Sequence, residues 1–167
     1  MMQTLDLLAS VVAQHGDEIA LEDDQSEVSY AELNVAVNAL AVALQSKDAT
    51  PGSRVGLCAE NSLEYLVSVL AILAAGKVLL PLNCRGTTES LHQLLNETLP
   101  TTVIVDDAGD ALIKSDDDLK IHFSQFEGLV RTYRDQVPVR YTPEEVKAYN
   151  DKLQAYVEKL QEVSGGN

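Results

Sequence analysis

Apolar positions recur along this chain with two different periods, and the changes of period mark its elements. Leu5, Leu8, Val11 and Val12 stand three and four apart and Gly16 follows, so the spacing predicts a short opening helix. "EIALEDDQSEVSY" predicts two short strands around the turn-forming Asp23-Asp24-Gln25-Ser26. Ser29-Tyr30-Ala31-Glu32 then has a capping-box pattern, in which a Ser hydroxyl and a Glu carboxylate each satisfy an orphan N–H at a helix start. Leu33, Val37, Leu40 and Leu44 extend it as one apolar stripe, and Pro51-Gly52 closes the loop that follows.

Three segments have no polar alternation. "RVGLC", "KVLLPLN" and "TTVIVDD" are short and apolar, as strands buried on both faces must be. Helical patterns separate them. Leu63 to Ala75 has Ser62 as its cap and Gly76 placed for a left-handed stop; "TTESLHQLLNETL" sets Leu91, Leu94 and Leu95 on one face. Strands alternating with helices imply right-handed crossovers and a mostly parallel sheet between two helical layers. The helix Leu63 to Ala75 is apolar on nearly every side, which predicts burial all round.

After Asp106 the pattern weakens. Residues 107–141 read as an acidic loop with an edge strand in "LKIHFSQF". Thr142-Pro143-Glu144-Glu145 then opens a helix over 142–163, with Thr142 as cap and Pro143 at the first helical position. Val146, Tyr149, Leu153, Tyr156 and Leu160 run along it in nearly heptad steps. Such a stripe serves equally well to bind a partner or to pack on the chain's own domain, and both readings stay open. "SGGN", 164–167, reads as a flexible tail.

Composition narrows the function. A chain of 167 residues, 46% hydrophobic, can bury one real core. A net charge of −14 argues against nucleic acid and anionic membrane surfaces and suits a basic partner protein. Cys58 and Cys84 form no C-x-x-C, which fits reduced, intracellular thiols. The N-terminus lacks a signal peptide's basic start, and "YLVSVLAILAAG" is too short to span a bilayer. A soluble cytoplasmic protein is expected; an organellar one stripped of its targeting peptide would read the same.

Residues 15–106 carry a combination of motifs: "SYAELN", "PG-x-RV", "EN-x-x-EYL", "AAGKVLLPLN" and "TTVIVDD", in that order. Over some ninety residues this resembles the opening of the adenylate-forming superfamily of acyl-CoA synthetases, nonribosomal-peptide adenylation domains and luciferases. The resemblance implies the three-layer α/β/α N-terminal subdomain of acyl-CoA synthetases over 1–106. It also implies an ancestry in which ATP activates a carboxylate as an acyl-adenylate for transfer to coenzyme A or a carrier thiol. That family's phosphate loop, a Ser/Thr/Gly-rich run ending in Lys-Gly, is not found here, nor are its ribose-binding Asp and lid Lys. The chain stops about a third of the way through such an enzyme, and the residues after 106 show no resemblance.

No catalytic, cofactor-binding or metal-binding residue emerges from the sequence itself. Gly86-Thr87-Thr88 suggests a phosphate loop, but no Gly-Lys follows and Glu89 puts negative charge there, so Thr87 or Thr88 is read as a helix cap. His15, His92 and His122 stand singly, as surface or packing residues do. Cys58 and Cys84 are read as packing thiols. Asp106, Asp107, Asp110, Asp116, Asp117 and Asp118 lack the spacing of a calcium loop. The expectation is a truncated, non-catalytic relative of an AMP-forming ligase, acting as a structural or regulatory subunit. The alternative is one half of a split enzyme, with ATP, Mg and coenzyme A or a carrier thiol bound only when another chain completes it. A small ligase working by itself ranks last. The candidate partner interface is Val146, Tyr149, Leu153, Tyr156 and Leu160, for another chain or a second copy.

Overall fold

A computed structural model describes residues 4–22 and 27–165. Helix α1 (Thr4–His15) opens the chain; the expected stripe residues Leu5 and Leu8 have side chains outside the described set, as does the turn at 23–26. Strands β1 (Ile19–Glu22) and β2 (Glu27–Ser29) pair antiparallel as a separate two-stranded sheet. The capping box then starts helix α2 (Tyr30–Lys47): Ser29 Oγ accepts from the Glu32 N–H at 3.1 Å, and Glu32 Oε1 accepts from the Ser29 N–H at 3.3 Å.

The main sheet holds β3 (Arg54–Cys58), β4 (Val78–Pro81), β5 (Thr102–Val105) and β6 (Lys120–His122), all parallel, in the order β4-β3-β5-β6. Helix α3 (Leu63–Ala74) links β3 to β4, and α4 (Thr88–Thr98) links β4 to β5. Side chains alternate across the sheet. Val55, Leu57, Ile104 and Ile121 join α2 and α3 in one core. Cys58, Val103 and Val105 meet Leu91 and Leu95 of α4 on the other face. The three layers are those the apolar strands imply.

The segment after Asp106 is more ordered than its weak pattern suggests. Asp106 caps a short helix, α5 (Asp107–Leu112), and α6 (Phe126–Tyr133) follows β6. Phe126 and Leu129 of α6 pack against the α2/α3 core. The segment 107–141 is therefore no acidic loop: Asp106 supplies a cap, and Phe126, Leu129, Val130 and Tyr133 carry the helical spacing. The edge strand does form there, as β6.

Helix α3 corrects a second expectation. It is not buried all round, because Leu66 and Leu73, seven residues apart on one side, are 36% and 48% exposed. Its other side, Val67, Ala71 and Ile72, enters the core, so α3 is an outer layer with an apolar outside.

Helix α7 (Pro143–Gly165) runs two residues beyond the expected end at 163, so the described part of the expected tail is helical; 166–167 lie outside the described residues. Thr142 and Glu145 cap its start reciprocally, at 3.2 and 2.8 Å. Its first half sits on the end of β3. A Cβ on Gly52, whose φ is +81°, would stand 2.2 Å from the Val146 carbonyl oxygen, so only glycine lets α7 approach this closely. Arg54, 8% exposed, then reaches from β3 to both helices. Its Nε donates to Asn150 Oδ1 at 3.1 Å, one terminal nitrogen to Gln154 Oε1 at 2.7 Å, and the other to the Thr98 carbonyl of α4 at 3.0 Å.

Candidate functional site

In a parallel sheet, chemistry gathers beyond the carboxyl ends of the strands, at the point where successive connections leave in opposite directions. Here that point lies between β3 and β5, since β3 passes to β4 on one side and β4 returns to β5 on the other. Three exits meet there: Glu60-Asn61-Ser62 after β3, Asp106-Asp107 after β5, and His122-Phe123-Ser124 at β6. With Glu64 they line a crevice of about 450 Å³. A neighbouring hollow of about 400 Å³ is bounded by Ala59, Glu60, Asn61, Cys84 and Arg85.

The carboxylate of Asp106 and the ring of His122 are bonded within the fold. Asp106 Oδ2 accepts from the Glu60 N–H at 2.9 Å and Oδ1 from the Gly109 N–H at 2.8 Å, so this carboxylate fastens β3 to the start of α5. A Cβ on Gly109 would lie 1.8 Å from the Cys58 carbonyl oxygen, which puts α5 directly against the end of β3. His122 Nδ1 accepts from the Ser124 N–H at 3.0 Å, so Nε2 carries the proton it shares with Asp107 Oδ1 at 2.8 Å. Ser124 Oγ also lies 2.8 Å from Nδ1. Ser, His and Asp thus line up, but the ring caps a helical turn together with Gln125, whose Oε1 accepts from the His122 N–H at 2.7 Å. Sequence separation hid this contact, and only the pairing of β5 with β6 brings His122 to Asp107.

The Gly86-Thr87-Thr88 stretch proves to be a helix entrance. The N–H groups of Arg85 and Gly86 donate to the Asn83 side chain and carbonyl at 2.9 and 3.0 Å. The Thr87 N–H donates to Ser90 Oγ at 3.2 Å, and Thr87 Oγ1 accepts from the Ser90 N–H at 3.1 Å. The N–H groups of Arg85, Gly86 and Thr87 are thus taken up inside the turn. The carboxylates of Glu60, Asp106 and Asp107 line the crevice, and their negative charge opposes a nucleotide's phosphates there.

The remaining candidates are dispersed. His15 pairs with Glu18 at 2.8 Å, and His92 Nε2 accepts from the Lys114 N–H at 2.9 Å. Cys58 is buried, and that burial, with Cys84 and Asp106 adding to it, pushes its thiol up to about 11. It is a poor nucleophile near neutral pH. Asp110 pairs with Lys120 at 2.9 Å, Asp116 leads into a single helical turn formed by Asp117, Asp118 and Leu119, and no three His, Cys, Asp or Glu side chains among the described residues converge on a metal. Among the described residues no helix is long and apolar enough to cross a membrane. On α7, Val146, Tyr149 and Leu153 are half-buried against the domain, whereas Tyr156 and Leu160 are exposed.

A buried lysine escaped sequence reasoning. Lys77 donates to the carbonyls of Asp48 and Thr50 at 2.5 and 2.6 Å and to Ser53 Oγ at 2.9 Å, with the Asp48 carboxylate 3.5 Å away. Burial lowers the lysine's pKa, against the pull of Asp48. Burial also acts to raise Asp48, but donors from Ser53 and Thr50 together with Lys77 outweigh it and bring the carboxyl down to about 2. This cluster fixes the loop that carries Gly52, at the end of the sheet opposite the crevice.

A family model described as AMP-binding enzyme matches residues 8–161. The chain belongs to that family. The match extends well past the 15–106 over which the motifs are legible, and takes in α5, α6 and most of α7. Among curated relatives, the hybrid PKS-NRPS synthetase LUC5 of Fusarium sp is 34% identical over 98 residues, 58% of this chain and 2% of that protein. Malpinin synthetase of Mortierella alpina is 36% identical over 101 residues, 60% of this chain and 1% of that protein. Two solved structures share the fold. NpsA-ThdA, an artificially fused adenylation-PCP di-domain NRPS from Klebsiella oxytoca, has a TM-score of 0.69 at 22% identity, over 85% of this chain and 26% of that one. The N-terminal domain of FACL13 from Mycobacterium tuberculosis has a TM-score of 0.75 at 18% identity, over 87% of this chain and 40% of that one. The chain therefore spans only part of these adenylate-forming proteins.

Proposed function

We propose that this chain supplies the scaffold of an adenylate-forming domain and no adenylation chemistry of its own, working through protein contacts as a structural or regulatory subunit. One observation carries the reading. Beyond the strand ends, the N–H groups of Arg85, Gly86 and Thr87 are taken up within their own turn and helix cap, and the charges facing the crevice are mainly carboxylates. Free thiols at Cys58 and Cys84 support a reducing compartment, and we place the protein in the cytoplasm. ATP–pyrophosphate exchange tests the proposal. The purified chain shows none with any carboxylate in a broad panel; robust exchange by the chain alone overturns it.

The open edge of the sheet favours a second reading. Strand β4 pairs only with β3 among the described strands, and beside it α3 turns Leu66 and Leu73 outward. An unpaired edge with apolar surface nearby is what one half of a split enzyme would present to the half carrying the ATP site and lid. ATP, Mg and coenzyme A or a carrier thiol would then bind only in the completed pair. Exchange that appears when a second chain is added distinguishes this reading from a purely structural subunit.

A further inference from the structure

A groove of about 710 Å³ separates α4 from the C-terminal half of α7. Glu89, His92 and Glu97 form its α4 wall; Val157 and Leu160 face it from α7. Val157 is buried at its floor, while Leu160 is 43% exposed. This is the half of α7 that Arg54 and Gly52 do not hold: their contacts stop at Gln154.

We infer that this groove receives a basic amphipathic helix from a partner protein, an inference that rests on the reading of this chain as one that works through protein contacts. An amphipathic helix laid in a groove is a recurrent mode of recognition, and it needs apolar anchors inside and matching charge outside. The anchors are Val157 at the floor and the exposed Leu160 one turn on. The charge is acidic. Glu89 and Glu97 line the groove, and neither enters an ion pair among the described residues; Glu97 accepts from Gln93 at 3.2 Å. No Lys or Arg side chain lines the groove: Lys159 lies on the side of α7 away from Val157, and Lys114 meets the α4 wall through its backbone N–H, which donates to His92 Nε2. A second copy of this chain is disfavoured as the occupant, since each carries a net charge of −14 and the groove repeats that sign. A partner bearing Lys and Arg around a Leu stripe satisfies both the walls and the floor.

The test uses the full chain and a fluorescent helical peptide of about 18 residues, with Leu at i, i+3, i+4 and i+7 and Lys between. Fluorescence anisotropy is expected to show saturable binding that weakens with salt. A scrambled peptide of the same composition binds about tenfold more weakly, and Leu160→Asp and Glu97→Lys each weaken the ordered peptide about fivefold or more. Both variants alter exposed or rim positions, and circular dichroism confirms that they fold. Equal binding of the scrambled peptide overturns the inference, because it reports unspecific attraction. Unchanged binding by Leu160→Asp overturns it too, as does sedimentation showing that the chain dimerises through Leu160. The parent reading is judged separately. If the peptide binds in the groove and the chain alone supports ATP–pyrophosphate exchange, the non-catalytic reading falls and the groove stands; if neither binding nor exchange appears, the groove alone is lost.

Discussion

Replacing Arg54 with methionine tests how α7 is held. Arg54→Met keeps much of the apolar stem and removes the guanidinium fork that spans Asn150, Gln154 and the Thr98 carbonyl. Hydrogen bonds from a charged donor contribute about 1.5–3 kcal/mol each, so three would total about 4.5–9 kcal/mol, comparable to the whole stability of a marginal domain. Two effects reduce that sum. Asn150 is half-buried and Gln154 exposed, so both amides can turn to water. Methionine also avoids the cost of keeping a guanidinium at 8% exposure. The Thr98 carbonyl loses its donor inside the α4–α7 contact, and this loss is the harder one to relieve. A net destabilisation of about 2–3 kcal/mol follows, or a fall of roughly 1–2 M in the urea midpoint at typical slopes. Urea unfolding followed by circular dichroism measures it, and amide exchange along α7 locates it. The expected pattern is faster exchange from Glu144 onward with the β3–β5 pairing still protected. A midpoint within about 0.3 M of the parent, with α7 exchange unchanged, would refute the claim that Arg54 clamps the helix.

Four further outcomes follow from the structure. Gly109→Ala drives a Cβ into the Cys58 carbonyl, backbone against backbone, and should cost about 3 kcal/mol or more; an unchanged thermal midpoint would show that α5 does not rest on β3. Lys77→Met strands two carbonyls and the Asp48 carboxylate, at about 3 kcal/mol, again read by urea unfolding. Asp48 sets an acid limb: its folded pKa lies below the ordinary 3.8, so its stabilisation is complete above that value and is lost as pH falls from 3.8 through about 2. The full shift corresponds to about 2.4 kcal/mol, which solvent at a side chain 22% exposed reduces to about 1 kcal/mol, and Asp48→Asn should flatten the stability–pH curve in that window. At pH 8 a thiol reagent should modify Cys84 in the native protein and reach Cys58 only after denaturation, because burial holds Cys58 at about 11; rapid modification of both would contradict that burial.

What the sequence determined by itself was local. Ser29 with Glu32, Ser62, Thr87, and Thr142 with Glu145 are caps whose donors and acceptors lie three residues apart, so their geometry is written in adjacent positions. Gly76 has the positive φ expected of a helix stop, and the three apolar runs became β3, β4 and β5. These features need only the chain's nearest neighbours, and the motifs built from them revealed the family. Helix α6 was local too, but its short Phe126–Tyr133 stripe was obscured by the acidic residues before it.

The tertiary structure decided everything that depends on strand order. Placing β3 between β4 and β5 creates the crevice and carries Arg54 to partners 96 and 100 residues along the chain, and the pairing of β5 with β6 brings His122 to Asp107 fifteen residues away. Gln45 bonds to both backbone groups of Val139, 94 residues on, and so fixes the strap leading into α7. No periodicity records such pairings, because a polar side chain looks the same in sequence whether it meets water or a distant carbonyl. The stripe on α7 shows the same division. Val146, Tyr149, Leu153, Tyr156 and Leu160 follow one pattern, and only the approach of Gly52 and the reach of Arg54 cover its first half and leave the second open.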